Sequence, residues 1–319
     1  MTNRRSLTLA DGISAPIYRG RFAPSPTGPL HFGSLVTAVG SYLEAKSRYG
    51  KWLIRIENLD GLRETSGASK EILDALEVFG MEWDGEVVYQ SRRNRAYRAA
   101  LALLEKQGLI YSCVCSRKEI TDSSIVGIEG PIYPGTCRGG LVSEEQPGAR
   151  RIRTDNRMIE FHDGLRGLIH QRLESDIGDF VLRRTDGIFA YQLAVVVDDA
   201  EQGVTHVVRG EDLLNSTSRQ IYLQQLLGYP TPSYMHLPVV VNAQGEKLSK
   251  QTHAAPVTTS DPVSQLIMAI RFLGHTPPEE LNESDITSFW KWATRNWKPE
   301  KIPQKILPPR KCAPNQGRM

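Results

Sequence analysis

Residues 21–34 read RFAPSPTGPLHFGS, and this stretch decides the fold. Pro24, Pro26 and Pro29 stiffen it, while Gly28 and Gly33 let backbone come close to a ligand. A short strand is predicted on its N-terminal side, over 18–24 (YRGRFAP). On its C-terminal side Leu35, Ala38, Val39, Tyr42 and Leu43 recur at helical spacing as far as the stop at Gly50. The loop therefore delivers His31 and the amides after it to the start of a helix. Such a helix end, with unpaired N–H groups and a positive dipole, accepts phosphate, and an imidazole there adds a directed donor. An ordinary strand–helix connection with a surface histidine is the competing reading.

Working outward, KWLIRIE (51–57) is an apolar, branched run that predicts a buried strand. Helical periodicity follows over 69–79 and 91–107, closed by Gly80 and Gly108. A βαβ pattern of this kind implies a parallel sheet with right-handed crossovers. From 109 to 188 the texture changes to cysteine, glycine and arginine. A second series then resumes: FAYQLAVVVDD (189–199) and VTHVVRG (204–210) as strands, STSRQIYLQQLLG (216–228) as a helix, and HLPVVVN (236–242) as a strand. The expected architecture is α/β, a Rossmann-like fold with a parallel sheet interrupted by an inserted module. Its parts are a first half at 1–108, an insert at 109–188, a second half at 189–243, and a loop with a helical C-terminal region at 244–319. The helices of that last region are SQLIMAIRFLG and ITSFWKWATRNW.

A second chemical element lies in NAQGEKLSKQTHA, where Lys247 and Lys250 flank a serine. Two lysines on a polar loop can neutralise charge developing on a triphosphate, and one such contact is typically worth ~3–4 kcal/mol at the transition state. Taken alone, the pair reads as a solvated loop.

Composition sets the frame. A chain of 319 residues, 40% hydrophobic and 24% charged, is an ordinary globular protein with room for two or three domains of roughly 100–200 residues. A net charge of +3 permits a nucleic-acid partner without arguing for one. No apolar run reaches the length of a membrane span and the N-terminus has no apolar signal core, so a cytoplasmic protein is expected. Among four cysteines, Cys113 and Cys115 are too close together for a disulfide framework. They read as metal ligands or free thiols, with Cys137 a third sulfur and Cys312 apart in the tail.

The two chemical elements resemble the HIGH and KMSKS signatures of class I aminoacyl-tRNA synthetases, and RFAPSPTG followed by HFGS resembles the glutamyl branch. HFGSL, WDGEVVYQS, FAYQLAVVVDD, QGVTHVVRG and KLSKQTHA match, in order, the truncated glutamyl-Q tRNA(Asp) synthetase subfamily, over roughly residues 19–300. The resemblance implies a two-step reaction. The α-carboxylate of glutamate attacks the α-phosphate of ATP, with Mg2+ expected beside it, to give glutamyl-AMP and pyrophosphate without RNA. The acyl group then passes to queuosine in the anticodon loop of tRNA(Asp). No general base is needed for the first step, because the carboxylate is already ionised.

The same resemblance assigns His31, Lys247 and Lys250 to catalysis, with His31, Gly33 and Lys250 on ATP. It assigns Arg21, Phe22, Ala23, Pro24, Ser25, Glu57, Tyr191 and Arg209 to glutamate. Glu57 suits the ammonium, and an arginine meeting a carboxylate bidentately favours glutamate over glutamine. Arg209 paired with Glu211 or Asp212, and Tyr191 in the core, are the competing readings. One structural Zn2+ is implied, held by Cys113, Cys115 and Cys137 with Tyr133 as the unusual fourth ligand; three reduced buried cysteines are the alternative. Arg150, Arg151 and Arg153 are candidate RNA-phosphate contacts or a solvated face.

The family's R-I-E-D-x-D appears here as RIENLD, so Asn58 replaces an acid, and Gly61-Leu62 stands where Pro-Pro often follows. Loss of that acid would weaken amino-acid binding if it orders the pocket. Ser34 takes the second histidine position of HIGH, as in the truncated subfamily. The 69 residues after Lys250 are too few for an anticodon-reading domain of ordinary size. A monomer is expected. Two other functions compete: a shortened glutamyl-tRNA synthetase charging a 3′-terminal adenosine, and a noncatalytic RNA-binding relative.

Overall fold

A computed structural model describes residues 17–124, 126–127, 130–140, 148–241 and 255–304. Strand β1 (Arg19–Phe22) leads through the proline loop into helix α1 (Phe32–Lys46), and β2 (Lys51–Ile56) returns beside β1. Pairing is parallel, with Arg21 opposite Leu53 and Phe22 opposite Ile54. Helix α2 (Ala68–Val78) crosses to β3 (Val88–Tyr89), which pairs parallel with β2. Trp52, Ile54 and Ile56 on one face and Arg55 on the other are fully buried, as expected of a strand covered on both faces.

Helix α3 (Asn94–Lys106) precedes a smaller unit. That unit contains β4 (Ile110–Cys113), α4 (Arg117–Ser123), the short hairpin β5 (Val126–Gly127) and β6 (Gly130–Pro131), and β7 (Ala149–Ile152). Next come β8 (Met158–Asp163), β9 (Gly167–Arg172), α5 (Leu173–Asp176) and β10 (Val181–Arg183). β7 pairs antiparallel with both β4 and β10. The β8–β9 hairpin instead leaves this sheet and joins the second half of the fold.

The second half consists of α6 (Tyr191–Glu201), β11 (His206–Gly210), α7 (Leu214–Leu227) and β12 (Ser233–Leu237). β11 and β12 pair parallel, and β8 extends their sheet through Tyr234 opposite Asp163. The two sheets meet edge to edge where the Thr205 N–H donates to the Arg19 carbonyl at 2.9 Å. Strand order reverses at this seam, so the C-terminal ends of β1 and β11 open on one crevice, the usual ligand position in such folds. Helices α8 (Pro262–Phe272) and α9 (Ile286–Asn296) pack behind α1 in the same core as β2. The Trp290 indole N–H donates to the Phe79 carbonyl at 2.8 Å and fixes α9.

Two local expectations fail. FAYQLAVVVDD was expected to be a strand because of its β-branched run, but residues from Tyr191 onward form α6. Leu193 to Asp199 are all buried there, so packing on every side overrides the weak propensity of three valines. HLPVVVN was also expected to be a strand, but β12 runs from Ser233 to Leu237. Pro238 has no N–H to continue the ladder.

Candidate active site

His31 is the N-cap of α1. The Ser34 N–H donates to His31 Nδ1 at 3.3 Å, and the His31 N–H donates to Ser34 Oγ at 2.8 Å. This reciprocal cap fills Nδ1 as an acceptor, so neutral His31 carries its proton on Nε2. The Ser34 hydroxyl therefore closes the cap through the His31 N–H, and the backbone N–H of residue 34 selects the imidazole tautomer. The Leu35 N–H bonds the His31 carbonyl at 3.0 Å and begins the helical ladder.

A cavity of about 790 Å³ opens at this end of the sheets. The first loop contributes Arg21, Phe22, Ala23, Pro24 and Ser25, and α1 contributes His31 and Gly33. Glu57 from the end of β2, Tyr191 from the start of α6 and Arg209 from β11 complete the set expected from the sequence. The Glu57 N–H donates to the Pro24 carbonyl at 2.9 Å and ties the β2 exit to the first loop. Lys247 and Lys250 lie outside the described residues. On one side of their segment, Pro238, Val239 and Val240 line the cavity. On the other, Pro256 bridges to His31 and the Val257 N–H donates to the Leu30 carbonyl at 2.9 Å.

Beneath the cavity lies an ion cluster that the sequence reading missed. Arg55, completely buried, donates to Asp199 at 2.7 Å, to Gln202 at 2.7 Å and to Glu57 at 3.3 Å. Arg21 Nε also donates to Asp199, at 3.2 Å. Asp198 accepts from Gln90 at 2.8 Å, from the Tyr97 hydroxyl at 2.8 Å and from Arg93 at 2.5 Å. Burial raises the Glu57 carboxyl above its usual range despite Arg55 and Arg21. A cationic group in the cavity could add to the countercharge that Arg55 already gives Glu57. Burial also works to raise Asp199, but Arg21 and Arg55 outweigh it and hold that carboxyl below its usual range. The signal for this cluster was the Asp198-Asp199 pair closing an apolar run, an odd ending for a strand and a natural one for a helix facing a buried arginine.

Arg209 is held from three directions. Nε donates to His236 Nε2 at 3.1 Å, Nη1 to the Tyr191 hydroxyl at 3.2 Å, and Nη2 to Thr217 Oγ1 at 2.9 Å and the Leu213 carbonyl at 3.3 Å. Of the two acids named as competing partners, Glu211 is taken by Arg166 at 2.7 Å. Four of the five guanidinium N–H groups thus have protein acceptors. The remaining Nη1 proton and the Tyr191 O–H could together form a mixed fork to a carboxylate, in place of a bidentate guanidinium.

Asn58 Oδ1 accepts from the Ser91 N–H at 3.0 Å, so the amide performs the acceptor role open to an acid at this position. It also lines an adjoining chamber of about 540 Å³ that shares Ser25, Glu57 and Tyr191 with the first. Leu62, beside Gly61, stands almost fully exposed in the turn that follows.

About the cysteines, the Sγ atoms of Cys113, Cys115 and Cys137 all lie within 4.8 Å of one another. The Tyr133 hydroxyl is 3.3 Å from Cys113 Sγ and 3.6 Å from Cys115 Sγ. Tetrahedral zinc with Zn–S bonds near 2.3 Å spaces its sulfurs by about 3.8 Å, so this donor set fits a metal. Burial raises the Cys115 thiol to about 11 and the Tyr133 phenol further; a divalent cation at bonding distance lowers both. Arg151 is not a surface phosphate contact. It is buried, stacks 4.0 Å over the Tyr133 ring and donates to the Asp179 carbonyl at 2.8 Å. Arg153 lies 4.9 Å over the Tyr111 ring, and Arg150 pairs with Glu105 at 2.6 Å.

Comparison with known proteins agrees with this geometry. The model of the class I tRNA synthetase (E and Q) catalytic domain matches residues 18–287. A glutamyl-Q tRNA(Asp) synthetase from Dechloromonas aromatica is 55% identical over 292 residues, covering 91% of this chain and 97% of that one. The protein of the same name from Chromobacterium violaceum is 55% identical over 291 residues, covering 91% and 97%. Among solved structures, a glutamate tRNA ligase from Elizabethkingia meningosepticum, in complex with its amino acid, superposes with a TM-score of 0.77. It is 25% identical, with 92% of this chain and 67% of that one covered. A crevice at the sheet seam, a capped histidine at its mouth and kinship across nine-tenths of the sequence lead to one conclusion: the chain belongs to the class I tRNA synthetases of the glutamate and glutamine branch, and within them to the glutamyl-Q tRNA(Asp) synthetases.

Proposed function

We propose that this ATP-dependent ligase activates L-glutamate as glutamyl-AMP and passes the glutamate to queuosine in the anticodon loop of tRNA(Asp). The observation carrying this reading is the convergence of Arg21, Glu57, Tyr191, Arg209 and the capped His31 on one cavity. Glutamate places its ammonium by Glu57 and its carboxylates by Arg21 and by the Arg209–Tyr191 fork. His31 Nε2–H and the α1 amides bind phosphate oxygens, and the carboxylate attacks in line without a general base. Lys250, supported by Lys247, neutralises charge on the departing pyrophosphate, with Mg2+ accompanying the nucleotide. The adjoining chamber, which shares Glu57 and Tyr191, admits the acceptor diol. Cys113, Cys115, Tyr133 and Cys137 hold a structural Zn2+, which pins the unit built on β4 and β7. The enzyme works as a cytoplasmic monomer; among the described residues no helix is long and apolar enough to cross a membrane.

Glutamate-dependent exchange of pyrophosphate into ATP, measured without RNA, tests the first step, and exchange no higher than background refutes it. Transfer of labelled glutamate to tRNA(Asp) tests the second. Loss of transfer on queuosine-free tRNA supports the reading, whereas full transfer there identifies a 3′-charging enzyme instead. Lys250→Ala slows single-turnover adenylate formation far more than it weakens glutamate binding; an unchanged rate removes the lysine loop from the mechanism.

A further inference from the structure

Behind Arg209, on the side away from the cavity, three buried groups form a chain. Asp163 ends β8 at the hairpin turn, and its Oδ1 accepts from the N–H groups of Leu165 at 3.0 Å and Arg166 at 2.9 Å. Its Oδ2 lies 2.6 Å from His236 Nδ1. Both side chains are completely buried. On the far side of the ring, His236 Nε2 faces Arg209 Nε at 3.1 Å and Thr217 Oγ1 at 3.1 Å. A guanidinium can only donate, so Nε2 must be the lone pair and the ring proton must sit on Nδ1, directed at the carboxylate. Ionised Asp163 selects that tautomer, as a buried carboxylate does for a histidine in other settings.

We infer that Asp163 and His236 are positioning residues for substrate selection: they aim Arg209 and keep its last N–H, with the Tyr191 hydroxyl, directed at a carboxylate of the amino acid. The inference rests on the assignment of Arg209 to glutamate. Arg209 has a long side chain, and without an acceptor at Nε the guanidinium can rotate about its final bonds and lose the Tyr191 contact. The β8–β9 hairpin, which belongs by sequence to the segment between the two halves of the fold, thereby contributes to amino-acid choice.

The test is a double-mutant cycle read by pyrophosphate exchange. His236→Leu raises the KM for glutamate on the order of tenfold to a hundredfold, the range for a lost hydrogen bond to a charged group. The KM for ATP stays within about threefold, a bound well below that loss. His236→Gln, whose amide can both accept from Arg209 and donate to Asp163, recovers most of the loss. In the Arg209→Lys background, which has no Nε–H, adding His236→Leu changes the glutamate KM by less than about threefold, because the two groups act as one unit. An equal shift in both backgrounds, or no rescue by Gln, overturns the inference. Asp163→Asn covers the case in which the leucine variant does not fold. The amide donates to Nδ1, moves the ring proton to Nε2 and sets it against Arg209, so a folded Asp163→Asn protein with native glutamate KM also overturns it. Arg209→Lys with unchanged glutamate KM refutes the parent assignment and takes the inference with it. A raised KM there, with none in His236→Leu, refutes the inference alone.

Discussion

Replacing Asp199 by Asn tests the ion cluster beneath the cavity with almost no change of shape. Asp199 accepts from Arg55 at 2.7 Å and from Arg21 at 3.2 Å, and all three side chains are buried. Removing one partner of a buried ion pair typically costs about 3–5 kcal/mol, because the charge left behind has lost its hydration and its counterion. Here the Asn oxygen can still accept one hydrogen bond and Arg55 retains Glu57 and Asp198 within reach, so a loss of about 3 kcal/mol is expected. At roughly 2–4 °C per kcal/mol for larger domains, the melting midpoint should fall by roughly 6–12 °C. Differential scanning calorimetry of the full-length protein measures it, with the glutamate KM taken well below the transition. The KM should rise as well, because Arg21 loses the carboxylate that orients it. A midpoint within about 2 °C of wild type would show that the cluster is a solvated surface feature and not a buried network, since exposed pairs contribute at most about 1 kcal/mol.

Burial lowers the His236 pKa below the ordinary histidine value of about 6.5, with Asp163 from β8 pulling it back up and Arg209 from β11 and Arg21 from β1 pushing it down; Thr217 of α7 and Tyr234 of the same strand also face the ring. The neutral ring's contribution is therefore complete above about pH 6.5 and lost as pH falls through the lower folded-state value. The glutamate KM should be flat from neutrality to that point and rise below it. His236→Gln should lack the rise, and an identical acid limb in that variant assigns it to another group. Purified protein should carry about one zinc per chain, and Cys113→Ser should reduce that content and lower the melting midpoint; a metal-free protein with unaltered melting removes the zinc proposal. Gly274→Ala should destabilise by about 2–3 kcal/mol, because its φ is 82° and an added Cβ would lie 2.0 Å from the Lys301 carbonyl oxygen. Chemical denaturation reads this, and an unchanged midpoint would show that the Lys301 carbonyl does not lie against Gly274.

The local code of the loop before α1 was legible because it depends on short-range chemistry. Pro24 to Gly33 dictate a stiff loop, and the helix they feed needs a cap, so His31 could be placed from neighbours alone. The smaller unit was legible in part. Cys113, Cys115 and Cys137 stand at ligand-like spacing in the sequence and Tyr133 came from the family resemblance, whereas the role of Arg151 was not readable. An arginine among arginines looks solvated until the Tyr133 ring and the Asp179 carbonyl are found against it. The valines of α6 misled for a related reason. Strand propensity is measured on a half-covered surface, and this helix has none.

By itself, then, the amino-acid sequence determined the order of strands and helices in the first half, the proline loop that caps α1, the cysteine cluster and, through its motifs, the class of chemistry. Each of these rests on residues close together in the chain or on a motif of distinctive composition. Only the tertiary structure decided that Arg55 and Asp199 support Arg21 and Glu57, and that Asp163 and His236 stand behind Arg209. Those contacts join residues 144 and 73 positions apart, and the worth of a buried charge depends on what removes its water and what replaces it, which no local pattern records.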